Sequence, residues 1–219
     1  MTLSVVIPTL NAESHLAACL ERMKSADEIV VVDGGSIDAT VAVAESAAVR
    51  LAAAPRGRGS QLRAGAEAAR GEWLLFLHAD TLPGTGWRQA VEAHRRLQPD
   101  KAGYFRFRLA DDAWQARAIE RGVAARVALL GLPYGDQGLL IPRPLYDEIG
   151  GYRALPLMED VDIARRIGRR RLCRLAESAF TSSERWRRDG WFRRSGRNLL
   201  CLGLYGLGVA PERIARLYG

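Results

Sequence analysis

The sequence predicts an α/β fold with a mostly parallel sheet flanked by helices. Through the first hundred residues, short apolar runs alternate with segments of helical period, which is the order of a βαβ chain and implies a parallel sheet. Polar or acidic residues directly follow each apolar run, and parallel sheets bind their ligands at these strand ends. The two observations together predict a sheet with a ligand site along one edge.

Four strands are predicted in the N-terminal half, at Leu3 to Ile7, Ile29 to Val32, Val49 to Ala53 and Trp73 to Leu77. Each is short and apolar, as expected of a strand buried on both faces. Three helices are predicted between these strands. The first is indicated by the helical spacing of Leu16, Cys19, Leu20 and Met23, and the others lie at Ala39 to Ala47 and at Ser60 to Ala69.

The second half is less regular. A strand is predicted at Tyr104 to Arg108, where Phe105 and Phe107 face one way and two arginines face the other. The further predicted elements are a helix at 113–130, a strand at 138–141, a helix at 144–149, and a helix that begins near 159 and ends in the basic run 169–171. No linker interrupts this order, so one domain is expected over residues 1–184, followed by a basic and apolar helical tail over 185–219.

Composition restricts the class of protein. A chain of 219 residues with 48% apolar and 26% charged residues fits one globular domain and argues against disorder and against a polytopic membrane protein. Its net charge of +7 favours anionic partners such as nucleotide phosphates, acidic lipids or nucleic acid, without choosing among them. Three cysteines cannot complete a disulfide framework, and no signal-peptide run is seen, so a cytoplasmic setting is expected.

Four strings at the strand ends and further on carry a resemblance. They are Ser4 to Asn11 (SVVIPTLN), Val31 to Asp38 (VVDGGSID), Phe76 to Asp80 (FLHAD) and Met158 to Asp162 (MEDVD). In this order and spacing, they make the chain resemble the family 2 glycosyltransferases over roughly residues 1–185. The resemblance implies a GT-A fold in residues 1–184 and an inverting, metal-dependent transfer of sugar from a UDP-sugar donor.

The nucleoside site is assigned by this resemblance, in which the loop from Pro8 to Glu13 lines the pocket and Asp33 binds the uracil ring. Gly34 would let the backbone approach the ligand. The donor-binding residues expected here are Pro8, Thr9, Asn11, Glu13, Asp33 and Gly34. An ordinary turn at Asp33 and the two glycines after it is the alternative.

A glycine-rich basic segment at 56–61 precedes a predicted helix. The helix N-terminus, with Arg58 and Gly59, could face the diphosphate of the donor. A plain basic turn accounts for the segment about as well. The segment is not a Walker loop, because the lysine and the following Ser or Thr are missing.

Asp80 is the candidate ligand for Mn²⁺ or Mg²⁺, which would clamp the donor diphosphate through oxygen ligands. The family's Asp-x-Asp motif has a histidine here in the place of its first aspartate. His78 is therefore a metal ligand, a residue that supports one, or a histidine at a strand end whose hydrogen bonds are already satisfied.

The Glu159-Asp160 pair matches the family's Glu-Asp motif, in which the aspartate removes the acceptor proton. The catalytic residues expected are Asp160 and Glu159, with Asp160 as the base, and Asp162 is the weaker candidate for the base. The alternative is that these residues only complement the dipole of a helix N-terminus. Asp136 and Gln137 are further candidates for contact with sugar hydroxyls, although a turn before a strand explains them almost as well.

The tail combines six arginines with aromatic residues between Arg185 and Arg197, and its apolar stretch from Leu199 to Ala210 is too short to span a bilayer. One expectation is that the tail helix lies on an anionic surface at the inner face of the membrane. A lipid-linked acceptor would then be presented at the catalytic edge of the sheet. The other is packing against the domain or against a second subunit in a homodimer.

Three other classes of protein are alternatives. A sugar nucleotidyltransferase would carry a long glycine-rich loop after the first strand, and a methyltransferase would carry a glycine fingerprint there, but the sequence has Pro8-Thr-Leu-Asn11 instead. A non-catalytic protein that binds membranes or nucleic acid would need the basic tail without Asp80 or Asp160. We expect a nucleotide-sugar donor and no nucleic acid partner, and the sequence leaves the sugar and the acceptor open.

Overall fold

The apolar runs of the N-terminal half form the parallel part of a single sheet. In the computed structural model, which describes residues 1–218, these strands are β1 (Leu3–Thr9), β2 (Glu28–Asp33), β3 (Arg50–Ala53) and β4 (Trp73–Phe76). They lie in the order β3-β2-β1-β4, and each neighbouring pair is parallel. The register sets Thr9 beside Asp33, so the loops that follow β1 and β2 leave the sheet at the same edge.

The later strands extend this sheet on the other side of β4. They are β5 (Thr81–Pro83), β6 (Ala102–Leu109), β7 (Leu139–Pro142) and β8 (Leu172–Thr181), and the order continues as β4-β7-β6-β8-β5. β7 runs antiparallel to β4 and β6, β6 and β8 are parallel, and β5 is antiparallel to β8. Only β5 and β7 oppose the common direction, which confirms the predicted mostly parallel sheet.

Helices cover both faces of the sheet. Their bounds are α1 (Glu13–Met23), α2 (Thr40–Ser46), α3 (Arg58–Ala68), α4 (Trp87–Leu97), α5 (Trp114–Leu130), α6 (Arg143–Glu148), α7 (Glu159–Ile167), α8 (Glu184–Asp189), α9 (Trp191–Gly206) and α10 (Pro211–Tyr218). Short 3₁₀ turns occur at Gly135–Gln137 and Arg169–Arg171.

Two apolar layers form the core. On one face of the sheet, α1 buries Leu16, Cys19, Leu20 and Met23, spaced three to four residues apart, against β1. On the other face, α3, α6 and α7 pack over β1, β2, β4 and β7. Burying one large aliphatic side chain contributes roughly 1.5–3 kcal/mol, so these layers fix the sheet edge from which the loops extend.

Three elements differ from the sequence prediction. β5 and β8 were not predicted. In β8, the charged residues Arg174 and Glu177 stand between a few buried ones, so the segment lacks the apolar pattern of a strand. The helix predicted to end at 169–171 instead ends at Ile167. Gly168 follows with a φ of 80°, which breaks the helix, and the basic run forms a separate 3₁₀ turn.

The tail packs against the preceding residues. Cys201, Leu202 and Ile214 are buried in one cluster with Val161 of α7 and with Leu132. Five of the six arginines between 185 and 197 pair with acids, namely Arg185 with Asp80, Arg187 with Asp111, and Arg188, Arg194 and Arg197 with Asp189. Among residues 1–218, no helix is both long and apolar enough to cross a membrane. The boundary at 184/185 stays a prediction.

Candidate functional site

A cleft opens at the edge of the sheet where β4 and β8 end. It is lined by side chains or backbone from six segments of the chain. These residues are Arg58, His78, Asp80, Tyr134, Gly135, Asp136, Leu157, Met158, Asp160, Thr181, Arg185, Trp186, Arg194 and Asn198. The structure therefore brings together five candidate residues named from the sequence, which are Arg58, His78, Asp80, Asp136 and Asp160.

Asp80 lies in the short loop between β4 and β5. The backbone fixes this loop, because Ser182 N donates to Asp80 O at 3.2 Å and Thr81 N donates to His78 O at 3.1 Å. The Asp80 side chain is 15% exposed, and Arg185 Nη2 lies 3.5 Å from its Oδ2. A tail residue that the sequence did not assign therefore sits beside the predicted metal carboxylate.

His78 lies against the backbone of Gly135. A Cβ atom on Gly135 would be 2.5 Å from His78 Nε2, so only glycine fits there without moving the ring. Burial and the nearby Arg58 lower the pKa of His78 to about 4, although Asp80 and Asp160 act to raise it. The imidazole is therefore neutral near pH 7, which is the form that binds metal ions.

The donor atoms in the cleft fit a divalent ion that is shared with a diphosphate. Within residues 1–218, no group of three or more His, Cys, Asp or Glu residues that could hold a metal is present. Magnesium usually takes only one or two carboxylates from a protein and completes its shell with phosphate and water oxygens. Asp80 is such a carboxylate, and the neutral His78 lines the same cleft.

Arg58 and Glu159 form an ion pair beside the cleft. Arg58 Nε, in the first turn of α3, lies 3.0 Å from Glu159 Oε1, and the Glu159 side chain is 1% exposed. Burial raises the pKa of Glu159, and Arg58 acts against that rise. Glu159 therefore orients Arg58 through Oε1 rather than facing solvent. Its other oxygen, Oε2, is buried without a hydrogen-bond partner.

Asp160 is the second residue of α7 and lines the cleft. Gly135 N donates to its Oδ2 at 3.1 Å, and Val161 N donates to Oδ1 at 2.7 Å. The preceding Met158 has a φ of 66°, a left-handed conformation that costs a non-glycine residue about 1–2 kcal/mol. That turn points Glu159 at Arg58 and leaves Asp160 at the cleft.

Asp162 is placed differently. It is buried and pairs with Arg153 at 3.1 Å and with Arg166 at 2.5 Å. Both carboxylate oxygens are therefore engaged in a structural network. This arrangement favours Asp160 over Asp162 as the base.

The turn at Gly135–Gln137 contains the two candidates for contact with sugar hydroxyls, Asp136 and Gln137, and gives them different surroundings. Burial raises the pKa of Asp136 to about 6, Arg126 opposes this, and Asp160 and Asp80 add to it. Asp136 lines the cleft, and its Oδ1 has no hydrogen-bond partner. Gln137 is buried, donates to Phe105 O at 3.2 Å and accepts from Tyr134 N at 3.3 Å, so it holds the turn.

Asp33 ends β2 and is engaged locally. Its carboxylate accepts hydrogen bonds from Gly35 N (2.8 Å), Ser36 N (2.9 Å), Ser36 Oγ (2.5 Å) and Thr9 Oγ1 (3.4 Å). Burial acts to raise the pKa of Asp33, but these hydrogen bonds outweigh it and hold the pKa below its usual value. A carboxylate offers about four acceptor positions, so a nucleoside would have to replace one of these donors.

The remaining donor residues predicted from the sequence hold two loops together. Ile37 N donates to Asn11 Oδ1 at 3.0 Å, and Ala39 N donates to Glu13 Oε2 at 2.9 Å. Pro8 is buried in β1, and the Cβ of a residue replacing Gly34 would touch the Gln61 side chain at 3.0 Å. Pro8, Thr9, Asn11, Glu13 and Gly34 thus lie at the Asp33 end of the sheet edge, outside the lining of the cleft described above.

Gly59 has a structural reason to be glycine. A Cβ atom there would lie 2.3 Å from Arg153 O and 2.8 Å from Leu155 N and O. The 153–155 backbone packs directly on α3, so the absence of a side chain is required for packing.

Sequence reasoning missed Thr181, Arg185, Trp186, Arg194 and Asn198 as cleft residues. The arginines interleaved with aromatic residues in the tail were visible in the sequence, but nothing there placed them beside Asp80. Arg194 is held by Asp189 at 2.9 Å and lies over the Trp186 ring at 5.0 Å.

Comparison with known proteins matches residues 4–155 to a model of glycosyl transferase family 2. A PGL/p-HBAD biosynthesis glycosyltransferase of Mycobacterium bovis is 40% identical over 88 residues, covering 35% of this chain and 34% of that protein. A dolichyl-phosphate beta-glucosyltransferase of Drosophila melanogaster is 37% identical over 101 residues, covering 36% and 31%. The matched stretch thus spans about a third of the length of each relative.

Two solved structures share the architecture. Glucosyl-3-phosphoglycerate synthase of Mycobacterium tuberculosis, solved with Mn²⁺, UDP and glucosyl-3-phosphoglycerate, matches with a TM-score of 0.58 at 17% identity, over 83% of this chain and 70% of that one. TarS of S. aureus, residues 1–349 with UDP-GlcNAc, matches with a TM-score of 0.65 at 17% identity, over 83% and 58%. At this identity the likeness shows the fold, and the expected GT-A fold is confirmed.

Proposed function

The chain belongs to glycosyl transferase family 2, and on that basis we propose that it transfers a sugar from a UDP-sugar to an acceptor hydroxyl with inversion and with a divalent metal ion. The observation that carries this proposal is the cleft in which His78, Asp80 and Asp160 meet. Structures of the same fold bind UDP with Mn²⁺, or UDP-GlcNAc, which supports the choice of donor.

In this proposal, the donor lies along the sheet edge. Its nucleoside occupies the end formed by Asp33 and the loop from Pro8 to Glu13, and its diphosphate reaches the cleft. Asp80 and His78 would hold Mn²⁺ or Mg²⁺, which neutralises the charge that develops on the leaving nucleotide. Arg58 adds a fixed positive charge on the same side, because Glu159 holds its guanidinium at 3.0 Å.

Asp160 would accept the proton of the acceptor hydroxyl. Its Oδ2 is oriented by the Gly135 backbone N–H at 3.1 Å, and a carboxylate at the wall of the cleft can be reached by an acceptor. A single displacement with the base opposite the leaving group inverts the anomeric configuration. A positioned base of this kind contributes roughly two to four orders of magnitude in rate.

For the acceptor, we propose a hydroxyl group of a lipid-linked molecule. The Drosophila relative is named for dolichyl phosphate, a lipid phosphate. Helix α9 lines the cleft through Arg194 and Asn198, and it also exposes Phe192, Leu199 and Leu200. An acceptor held at a membrane could therefore approach the cleft along this helix.

The test is mass spectrometry of UDP-sugar hydrolysis by the purified chain in Mn²⁺ and in EDTA. We expect Mn²⁺-dependent release of UDP from one UDP-sugar, reduced about a hundredfold or more in Asp160→Asn. Asp100→Asn, an exposed acid outside the cleft, is the matched control and should behave as the wild type. The same rates in EDTA or in Asp160→Asn would contradict the proposal.

Two assays distinguish the alternatives. In a product assay, a sugar nucleotidyltransferase would form nucleotide-sugar from UTP and a sugar phosphate. The other comparison is a thermal-shift assay. A non-catalytic basic protein would be stabilised by RNA or by anionic vesicles and not by UDP with Mn²⁺. Stabilisation by UDP that depends on Mn²⁺ favours the transferase.

A further inference from the structure

A second groove lies between helix α5 and the strands β6 and β8. Its apolar wall is formed by Phe107, Val123, Ala124 and Val127. Gln137 also lines the groove, whereas the two residues before it line the catalytic cleft. The 3₁₀ turn at Gly135–Gln137 therefore lies between the cleft and the groove. The groove is separate from the proposed donor site.

The groove is strongly cationic, with five arginines and one acid along it. Arg108 and Arg117 pair with Glu120 at 2.6 and 2.8 Å. The other three arginines are Arg106, Arg121 and Arg174. Within the described residues 1–218, none of these three guanidinium groups has a side-chain hydrogen bond or an ion pair with an acid, and all three side chains are exposed.

Exposed apolar side chains lie on helix α5, which forms one side of this groove. On α5, the exposed fractions of Trp114, Leu129 and Leu130 are 67%, 74% and 56%. Helix α9 packs next to α5, with the Phe192 ring 5.9 Å from that of Trp114. A cationic groove next to exposed apolar side chains is the composition of a surface that meets a bilayer.

We propose that this groove binds the phosphate headgroup of an anionic lipid, with Arg106, Arg121 and Arg174 as its ligands and the exposed residues of α5 and α9 against the bilayer. Arginine is suited to phosphate because its planar guanidinium can donate two parallel hydrogen bonds. The aliphatic wall fits a glycerol or acyl segment. A single-stranded nucleic acid would instead require a row of stacking aromatic residues.

This inference adds to the proposed sugar transfer and does not depend on it, since binding is measured without nucleotide-sugar. The experiment is flotation of the full chain with vesicles of phosphatidylcholine, with and without phosphatidylglycerol, at low salt. We expect binding only to the phosphatidylglycerol vesicles. Arg106→Gln combined with Arg174→Gln should weaken it by about thirtyfold, from about 1 kcal/mol for each arginine near an anionic surface.

The matched control is Arg70→Gln combined with Arg96→Gln, which removes the same charge from two exposed arginines outside the groove. It should change vesicle binding by less than about threefold, and both double variants should keep the wild-type unfolding temperature. If the groove variant unfolds, Arg174→Gln alone replaces it, with an expected loss of about fivefold.

Three outcomes would overturn the proposal. Equal loss in the groove and control variants would mean that net charge alone attracts the chain to the vesicles. Unchanged flotation of the groove variant would mean that the lipid contact lies elsewhere on the chain. Absence of flotation with phosphatidylglycerol at low salt would remove the lipid altogether.

Discussion

Arg185 Nη2 lies 3.5 Å from Asp80 Oδ2, so an arginine of helix α8 pairs with the carboxylate proposed to hold the metal ion. A cation and a guanidinium compete for the same carboxylate oxygens. If Asp80 holds the ion as proposed, the pair would have to loosen when the ion binds, and Arg185 would then be able to contact the donor diphosphate. The proposal therefore links the tail to donor binding.

Replacing Arg185 should tighten metal binding in the absence of nucleotide. We expect Arg185→Gln to raise the Mn²⁺ affinity of the nucleotide-free protein by up to about fivefold, since a partly exposed ion pair contributes up to roughly 1 kcal/mol. Electron paramagnetic resonance of free Mn²⁺ measures this affinity. Arg188→Gln removes a charge nearby and is the control, and an equal gain there would assign the effect to net charge.

Asp160→Asn should lower transfer by roughly two to four orders of magnitude while leaving the affinity for UDP with Mn²⁺ nearly unchanged, because the amide keeps the shape and cannot accept the proton. Asp162→Asn should have the opposite profile. It breaks a buried ion-pair network with Arg153 and Arg166, so we expect a loss on the order of 2 kcal/mol in unfolding free energy. Turnover kinetics and urea denaturation measure both, and wild-type transfer in Asp160→Asn would place the base elsewhere.

Gly59→Ala tests whether this glycine is needed for packing or for the donor phosphates. The new methyl would meet the Arg153 carbonyl oxygen, so we expect a loss of roughly 1–3 kcal/mol in unfolding free energy. Gly122→Ala in α5 has no atom within 4 Å and should stabilise the protein by up to about 1 kcal/mol. Guanidinium denaturation measures both. An unchanged stability of Gly59→Ala with a weaker affinity for UDP would instead support the phosphate role.

Asp136 should make stability depend on pH. Its raised pKa, about 6, means that the folded protein binds this proton more tightly than the unfolded chain does. Its contribution to stability is therefore complete below about pH 4 and is lost as pH rises through about 6. In Asp136→Asn this loss should be absent. At pH 8 the unfolding free energy of the variant should be higher than that of the wild type by roughly 2–3 kcal/mol, and at pH 5 the difference should be smaller. Urea denaturation at both pH values checks the sign, and a constant difference would show that Asp136 does not titrate in this range.

The parallel half of the fold was predictable because its strands are apolar on both faces. Val30, Val31 and Val32 read as a strand regardless of what surrounds them. The family resemblance, carried by four short strings, is confirmed by the match over residues 4–155. β8 was not predictable in the same way, because Leu175 and Ala179 are buried only through contacts with elements far away in sequence.

The site was predictable where chemistry follows a strand end and less so where it depends on long-range packing. Asp80 follows β4 directly, and Asp160 belongs to a recognisable string. Arg185 is brought to Asp80 by β8 and α8, about a hundred residues later, and no local pattern indicates that distance. Likewise, the four local hydrogen bonds of Asp33 depend on the side-chain geometry of the turn.

The cleft draws on both sides of position 155, where the family match ends. Asp80 and Arg58 lie before that position, whereas Asp160, Trp186 and Asn198 lie after it. A chimera that grafts residues 1–155 onto another member's C-terminal half would therefore inherit the proposed donor and metal residues of this protein together with a foreign base and a foreign wall. Under this proposal, its sugar preference and its acceptor preference could be exchanged independently.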